Sequence, residues 1–307
     1  MTVTIVGSPH CDLHDMGDEH PEQPARMYKI NDQIIASGLD YVLHFADANP
    51  AKLSSLELAH DKAFVKSIFD RAPSLGGEKI WLDDDTIMMD KSLNAALHAA
   101  GAVTDAVDLV LEDKSKSAFC SVRPPGHHAG RASSSGFCIF NNIAVGAMHA
   151  LEVHGLDRVA IIDFDVHHGN GTQNIVEGDK RVLFCSSFQH PFYPFSGAEP
   201  CRKGIVNVPL PAGTTGSEYR DLIKNWFKAV DEFKPQLIFI SAGFDGHTED
   251  ELGQLRLVEK DYIWITEQIK ALADKYCEGK IVSVLEGGYA LNALARSVVA
   301  HVKVLAN

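Results

Sequence analysis

The chain has no apolar run approaching the roughly 18 residues that a membrane-spanning helix requires. No membrane association is expected. Its N-terminus, MTVTIVGSPHCDLHD, lacks a basic region followed by a long apolar stretch, so no secretory signal is read and the expected compartment is cytoplasmic. Cysteine is sparse. Cys11, Cys120, Cys138, Cys185, Cys201 and Cys277 are scattered with no CxxC pair, which disfavours a structural zinc site of thiolates. Cys120 and Cys185 sit in apolar, strand-like runs and read as reduced, buried thiols. Basic residues are also few: 28 Lys and Arg face 41 Asp and Glu, a net charge of −13. Such a surface repels phosphates, so direct nucleic-acid binding is not expected, and cationic ligands are favoured instead. Low-complexity stretches, repeats and long linkers are missing as well. With 45% hydrophobic residues, the 307-residue chain can bury a core of ordinary size and reads as a single domain over residues 1–307.

What is present is an alternation. β-Branched runs occur at Val3–Val6, Tyr41–Phe45, Ala118–Val122, Val159–Val166, Val182–Ser187, Ile205–Leu210, Leu237–Ser241 and Ile281–Leu285. Helical spacing lies between most of them, at Pro24–Ser37, Ser92–Leu111, Ile139–His154, Ser217–Phe233, Glu259–Cys277 and Asn292–Leu305. The alternation predicts an α/β fold with a mostly parallel sheet of about eight strands and helices on both faces. The runs VAIID and LIFIS are apolar almost throughout, as in strands buried on both faces.

Polar and glycine-rich clusters follow four of these strands: Arg123–His128, Asp163–Gly171, Gly243–His247 and Glu286–Tyr289. Ligands of open α/β sheets bind at the carboxyl ends of strands, so the four loops are expected on one rim. In an extended chain, Asp163, Asp165 and His167 point the same way, and two carboxylates with an imidazole suit zinc or a related divalent ion. Asp165 and His167 supply two ligands. Asp245 is the best third, although an aspartate after a strand also commonly caps a helix. His127 and His128 follow a loop stiffened by two prolines, and imidazole suits proton transfer near neutral pH. Glu286-Gly287-Gly288-Tyr289 offers a phenol to a developing oxyanion, and is equally compatible with an ordinary turn followed by an aromatic.

Together these motifs resemble the histone deacetylase family, including its bacterial deacetylase-like amidohydrolases and acetylpolyamine amidohydrolases, and lie closer to its class II branch. The resemblance runs from His20-Pro21-Glu22 and Arg26 through Arg123–His128, Ser135–Asn142, Asp163–Gln173 and Ser241–Asp245 to Glu286–Tyr289. It implies the arginase/deacetylase-like fold and one catalytic Zn2+ held by Asp165, His167 and Asp245. His128 is implied as the base, His127 as its electrostatic partner or acid, and Tyr289 as the group that polarises the carbonyl. Asp163 matches the carboxylate behind His127. Asn170 takes the place behind His128, where some branches carry aspartate. Phe137 and Tyr193 match the aromatic walls of the substrate channel, with phenylalanine commoner at the latter. A K+ site near Asp163, Asp165, His167 and Ser186 is also implied.

The implied reaction is hydrolysis of an acylated amine, acyl-lysine with an acetyl group foremost, by metal-activated water. An acetylpolyamine or small-amide substrate is the alternative. Leu252 stands where a polyamine-specific relative carries glutamate, which favours acyl-lysine. Asp84–Met89 departs from the family loop there, so the acidic residue that grips the substrate backbone is not placed. Gln23 replaces the arginine usual after His-Pro-Glu. A two-manganese arginase-like enzyme would want further Asp-rich motifs, and a non-catalytic acyl-binding protein would not need Tyr289 and both histidines. His10, His14, His60, His98, His149, His154 and His301 fall outside the converging loops and read as surface or packing residues. His190 and His247 flank the site. A homo-oligomer is compatible with the sequence.

Overall fold

The computed structural model describes residues 3–17, 19–200 and 202–307. Cys201 therefore lies outside the described residues, and the other five cysteines are free and buried. The strands are β1 (Val3–Gly7), β2 (His44–Asp47), β3 (Ile80–Trp81), β4 (Ile87–Met88), β5 (Ser117–Ser121), β6 (Val159–Asp163), β7 (Val182–Gln189), β8 (Ile205–Leu210), β9 (Leu237–Ala242) and β10 (Ile281–Leu285). The helices are α1 (Ala25–Ala36), α2 (Leu53–Ala59), α3 (Lys62–Arg71), α4 (Ser92–Leu111), α5 (Asn142–Glu152), α6 (Asn170–Val176), α7 (Gly216–Leu222), α8 (Lys224–Phe233), α9 (Glu259–Tyr276) and α10 (Leu291–Ala306).

Eight strands form one parallel sheet in the order β2-β1-β5-β10-β9-β6-β7-β8. β3 and β4 form a separate antiparallel hairpin. The apolar runs alternate between two cores, because successive side chains of a strand face opposite sides. In β6, Val159 and Ile161 join the core under α4 and α5, whereas Ala160 and Ile162 join the core under α1, α9 and α10. β9 repeats this, with Leu237 and Phe239 on the first side and Ile238 and Ile240 on the second. Both faces are covered, which is why these strands read as continuous hydrophobic sequence.

Several expected boundaries move. The run read as Val159–Val166 leaves the sheet at Asp163. Tyr41–Phe45 begins in a 3-10 turn over Leu39–Tyr41, and its strand starts only at His44. Ser217–Phe233 is two helices that meet at Ile223. No helix among the described residues is long and apolar enough to cross a membrane.

Parallel strands all end on one rim. The four loops with polar motifs follow β5, β10, β9 and β6, which are the four consecutive central strands of the sheet.

Candidate active site

Beyond β6 the chain makes two successive Asx turns. Asp163 Oδ1 accepts from the N–H of Asp165 at 3.1 Å, and Asp165 Oδ1 accepts from the N–H of His167 at 2.9 Å. The turns break the extended row expected from sequence. Asp163 Oδ2 faces Nδ1 of His127 at 3.0 Å. His167 instead turns its Nδ1 to within 3.0 Å of Asp165 Oδ1 and 3.3 Å of Asp245 Oδ2. The ligand-type atoms of Asp165, His167 and Asp245 all lie within 4.8 Å of one another. Asp163 is thus separated from that cluster and serves the histidine beside it.

Glycines make the space. A Cβ at Gly243 would come 2.0 Å from Asp165 Oδ2, and one at Gly287 would come 1.9 Å from Asp245 Oδ2. Oδ2 of Asp245 is buried and, apart from its 3.3 Å ion-pair contact with His167, makes no hydrogen bond. Burial, reinforced by the charge of Asp165, lifts the Asp245 carboxyl to about 7. Burial works to lower His167, but its contacts with Asp165 and Asp245 prevail and raise it to about 10. Two buried carboxylates therefore require positive charge between them, either as a proton on His167 or as a cation.

The two histidines of the β5 loop are held in different ways. Burial disfavours charge on His127, yet Asp165 and Asp163 overcome it and raise the imidazole to about 10. His128 is pushed well below its ordinary value, first by burial and then by His127 and His167. Its Nδ1 lies 2.7 Å from Asn170 Oδ1. An amide oxygen only accepts, so Nδ1 carries the proton and Nε2 presents a lone pair. The pair is thus one charged and one neutral imidazole with ring centroids 4.0 Å apart.

His128, Phe137, His167, Phe192, Tyr193 and Tyr289 line a cavity of about 220 Å³, with Asp85, Glu251 and Leu252 also on its wall. Phe137 meets Tyr289 edge to face at 5.9 Å, and Tyr193 meets His128 likewise at 5.2 Å. His20 packs against Phe137 at 4.6 Å and so helps shape the rim. Burial raises the Tyr289 phenol well above its usual value, which keeps it a hydrogen-bond donor. His247 faces away, toward Glu259 at 3.6 Å.

Three functional positions escaped the sequence reading. Glu286 is buried, and its Oε2 accepts from the N–H groups of Gly126 and His127 at 2.7 and 3.1 Å, tying the β10 loop to the histidine loop. Asp250 Oδ2 accepts from the N–H groups of Tyr289 and Ala290 at 2.6 and 2.9 Å, fixing the tyrosine turn. Asp85, at the tip of the β3–β4 hairpin, accepts from the N–H of Gly136 at 2.9 Å and stands at the cavity wall. A carboxylate directly after an apolar strand was a visible signal for Glu286. The stretches that hold Asp85 and Asp250 could be compared with the family's, but their roles could not be read, because the N–H groups they hold at Gly136 and Tyr289 lie 51 and 39 residues away.

The crystal structure of the HDA15 HD domain superimposes on all of this chain and 90% of its own, with a TM-score of 0.92 and 33% identity. The fold is therefore the arginase/deacetylase-like α/β fold. The family model of the histone deacetylase domain matches residues 20–305, and the chain belongs to the histone deacetylase family, whose members are hydrolases acting on amides. A probable deacetylase of Archaeoglobus fulgidus is 37% identical over 287 residues, covering 91% of this chain and 79% of its own length. Type-2 histone deacetylase 2 of Dictyostelium discoideum is 43% identical over 247 residues, covering 72% of this chain. The chain spans only 14% of that larger protein.

Proposed function

We propose that the chain, as one catalytic domain, hydrolyses an acylated primary amine, with acyl-lysine in a peptide as the preferred substrate and acetyl as the preferred acyl group. The observation that carries this reading is the buried Asp165–His167–Asp245 cluster within reach of a neutral histidine and a phenol at an aromatic-walled cavity. The cluster fits a zinc ion: its donors are one imidazole and two carboxylates, Asp245 Oδ2 is buried without a hydrogen bond, and glycines give the carboxylates room. When bound, zinc supplies Lewis acidity that polarises a carbonyl and acidifies water.

The chain's own groups do the rest. Nε2 of His128 takes the proton of the attacking water. The charged His127, anchored by Asp163, sits beside it and favours the build-up of negative charge. The Tyr289 hydroxyl donates to the developing oxyanion. A histidine then delivers a proton to the leaving amine, and a carboxylate and a free amine depart. Phe137 and Tyr193 flank the acyl-lysine stem, and Asp85 is the acidic residue placed to accept from the substrate backbone. A K+ ion near Asp163, Asp165, His167 and Ser186 fits the buried Ser186 hydroxyl, which has no protein partner.

Acetylated polyamines are the second reading, favoured by Glu251 and Asp85 at the cavity wall. A panel of acetyl-lysine peptides, longer acyl-lysines, acetylpolyamines and small amides on zinc-loaded protein decides between them. His128→Ala should abolish turnover while zinc stays bound. Near-normal rates in that variant would refute the assignment.

A further inference from the structure

A second constellation lies at the other end of the molecule. α5 connects the rim end of β5 to the start of the parallel strand β6, so its C-terminus points away from the catalytic rim. His149 is in the last turn of α5, His154 follows two residues after the helix, and Asp108 is in the last turn of the neighbouring α4. From sequence these histidines read as surface or packing residues. In the fold, Nε2 of His149 and Nε2 of His154 each lie 2.7 Å from the same oxygen, Oδ1 of Asp108.

Their rings meet edge to face, with centroids 5.3 Å apart at 74°, so the two nitrogens converge on one point. All three ligand-type atoms lie within 4.8 Å of one another. Both imidazoles form ion-pair contacts with the Asp108 carboxylate. Nδ1 of His149 is buried without a partner, so the orientation of that ring is set by what Nε2 binds.

We propose that Asp108, His149 and His154 form a second metal site, for a divalent cation of the zinc, nickel or copper class. Two imidazole nitrogens and one carboxylate oxygen suit these borderline ions, whereas calcium and magnesium require mostly oxygen. With metal–donor bonds of about 2.0–2.2 Å, tetrahedral donors stand roughly 3.2–3.5 Å apart. The present 2.7 Å contacts must open by roughly 0.5–0.8 Å, which the carboxylate of Asp108, with its side chain 44% exposed, can do. His154 is 23% exposed, which leaves water access to a fourth position.

The ion clamps the far end of α5 to α4. The near end of the same helix carries Asn141 and Asn142, whose side-chain amides donate to Ala129 O at 2.9 Å and Pro124 O at 3.0 Å on the catalytic histidine loop. The site is therefore structural, with its ligands outside the catalytic cavity.

The test is equilibrium dialysis of the full chain against buffered zinc, followed by elemental analysis. His154→Gln and Asp108→Asn should each hold one zinc ion fewer per chain than the unaltered protein, with native circular dichroism and unchanged amide hydrolysis. The readout is a difference of one ion, so it stands whether or not the rim site fills. Equal zinc content in the unaltered protein and both variants overturns the proposal. Excess magnesium should leave the difference intact, and its disappearance under magnesium overturns the assigned class of ion.

Discussion

Oδ1 of Asn170 accepts a hydrogen bond from Nδ1 of His128 across 2.7 Å. This contact fixes the tautomer of the proposed base without adding negative charge behind it. Burial and the neighbouring imidazoles already hold His128 well below its ordinary value. Asn170→Asp places a carboxylate there, which stabilises the imidazolium. The base works only when neutral, so the acidic limb of the kcat/KM–pH profile should move to higher pH by about one unit or more. A limb that stays in place would show that His128 is not the titrating base.

Tyr289→Phe removes the phenolic donor and leaves the ring edge to face with Phe137. Turnover should fall by roughly 10²–10³, with zinc content and KM little changed. Asp250→Ala frees the two N–H groups that hold the tyrosine turn. It should reproduce part of that loss in kcat, as measured in steady-state assays alongside zinc content. A full-rate Asp250→Ala enzyme would mean that the turn is held by other contacts.

Gly287→Ala introduces a methyl group 1.9 Å from Asp245 Oδ2. The carboxylate has to move, so zinc should be lost from the rim cluster while the far-UV circular dichroism remains native. Metal analysis of the purified variant checks this.

Acid should destabilise the protein from about pH 6.5 downward. His60 donates from Nδ1 to Gly130 O and accepts at Nε2 from the N–H of Asn141, so both nitrogens are engaged only in the neutral ring. His301 is similar. Thr266 Oγ1 donates to Tyr262 O and so accepts from Nδ1, leaving Nε2 to accept from Ser283 Oγ. Burial lowers His14 and His60 to about 4 and His301 to about 3. Between those values and the unfolded value near 6.5, the unfolded chain binds more protons, so stability rises with pH. Each such proton contributes about 1.4 kcal/mol per pH unit. Glu286 and Asp245, each lifted by burial to about 7, oppose two of them, while His168, lowered by burial to about 4, and His128, lowered by burial as well, act in the same direction as the three. Urea midpoints should therefore fall from pH 6.5 to pH 4; a flat profile would contradict the buried neutral histidines.

The alternating pattern of apolar strands and amphipathic helices was enough to define the α/β class, because burial on both faces writes itself into every residue of VAIID and LIFIS. The order of polar loops after strands was enough to place them on one rim, because all parallel strands end together. Short segments were harder. α2, α3, α6 and the β3–β4 hairpin have too few residues to establish a period.

The sequence by itself singled out the residues of the proposed site: Asp165, His167 and Asp245 as a donor set, His127 and His128 as a pair, and Tyr289 as a donor. Only the tertiary structure decided how they divide the work. Chain order does not reveal that β10 inserts between β5 and β9, which is what brings Glu286 beneath the histidine loop and Gly287 against the carboxylates. Nor does it reveal that two Asx turns after β6 send Asp163 to His127 and Asp165 to His167, because those directions depend on carboxylates accepting from backbone N–H groups only two residues ahead. Asp108, His149 and His154 show the same limit from the other side. Three unremarkable residues become a ligand set only when α4 and α5 pack side by side.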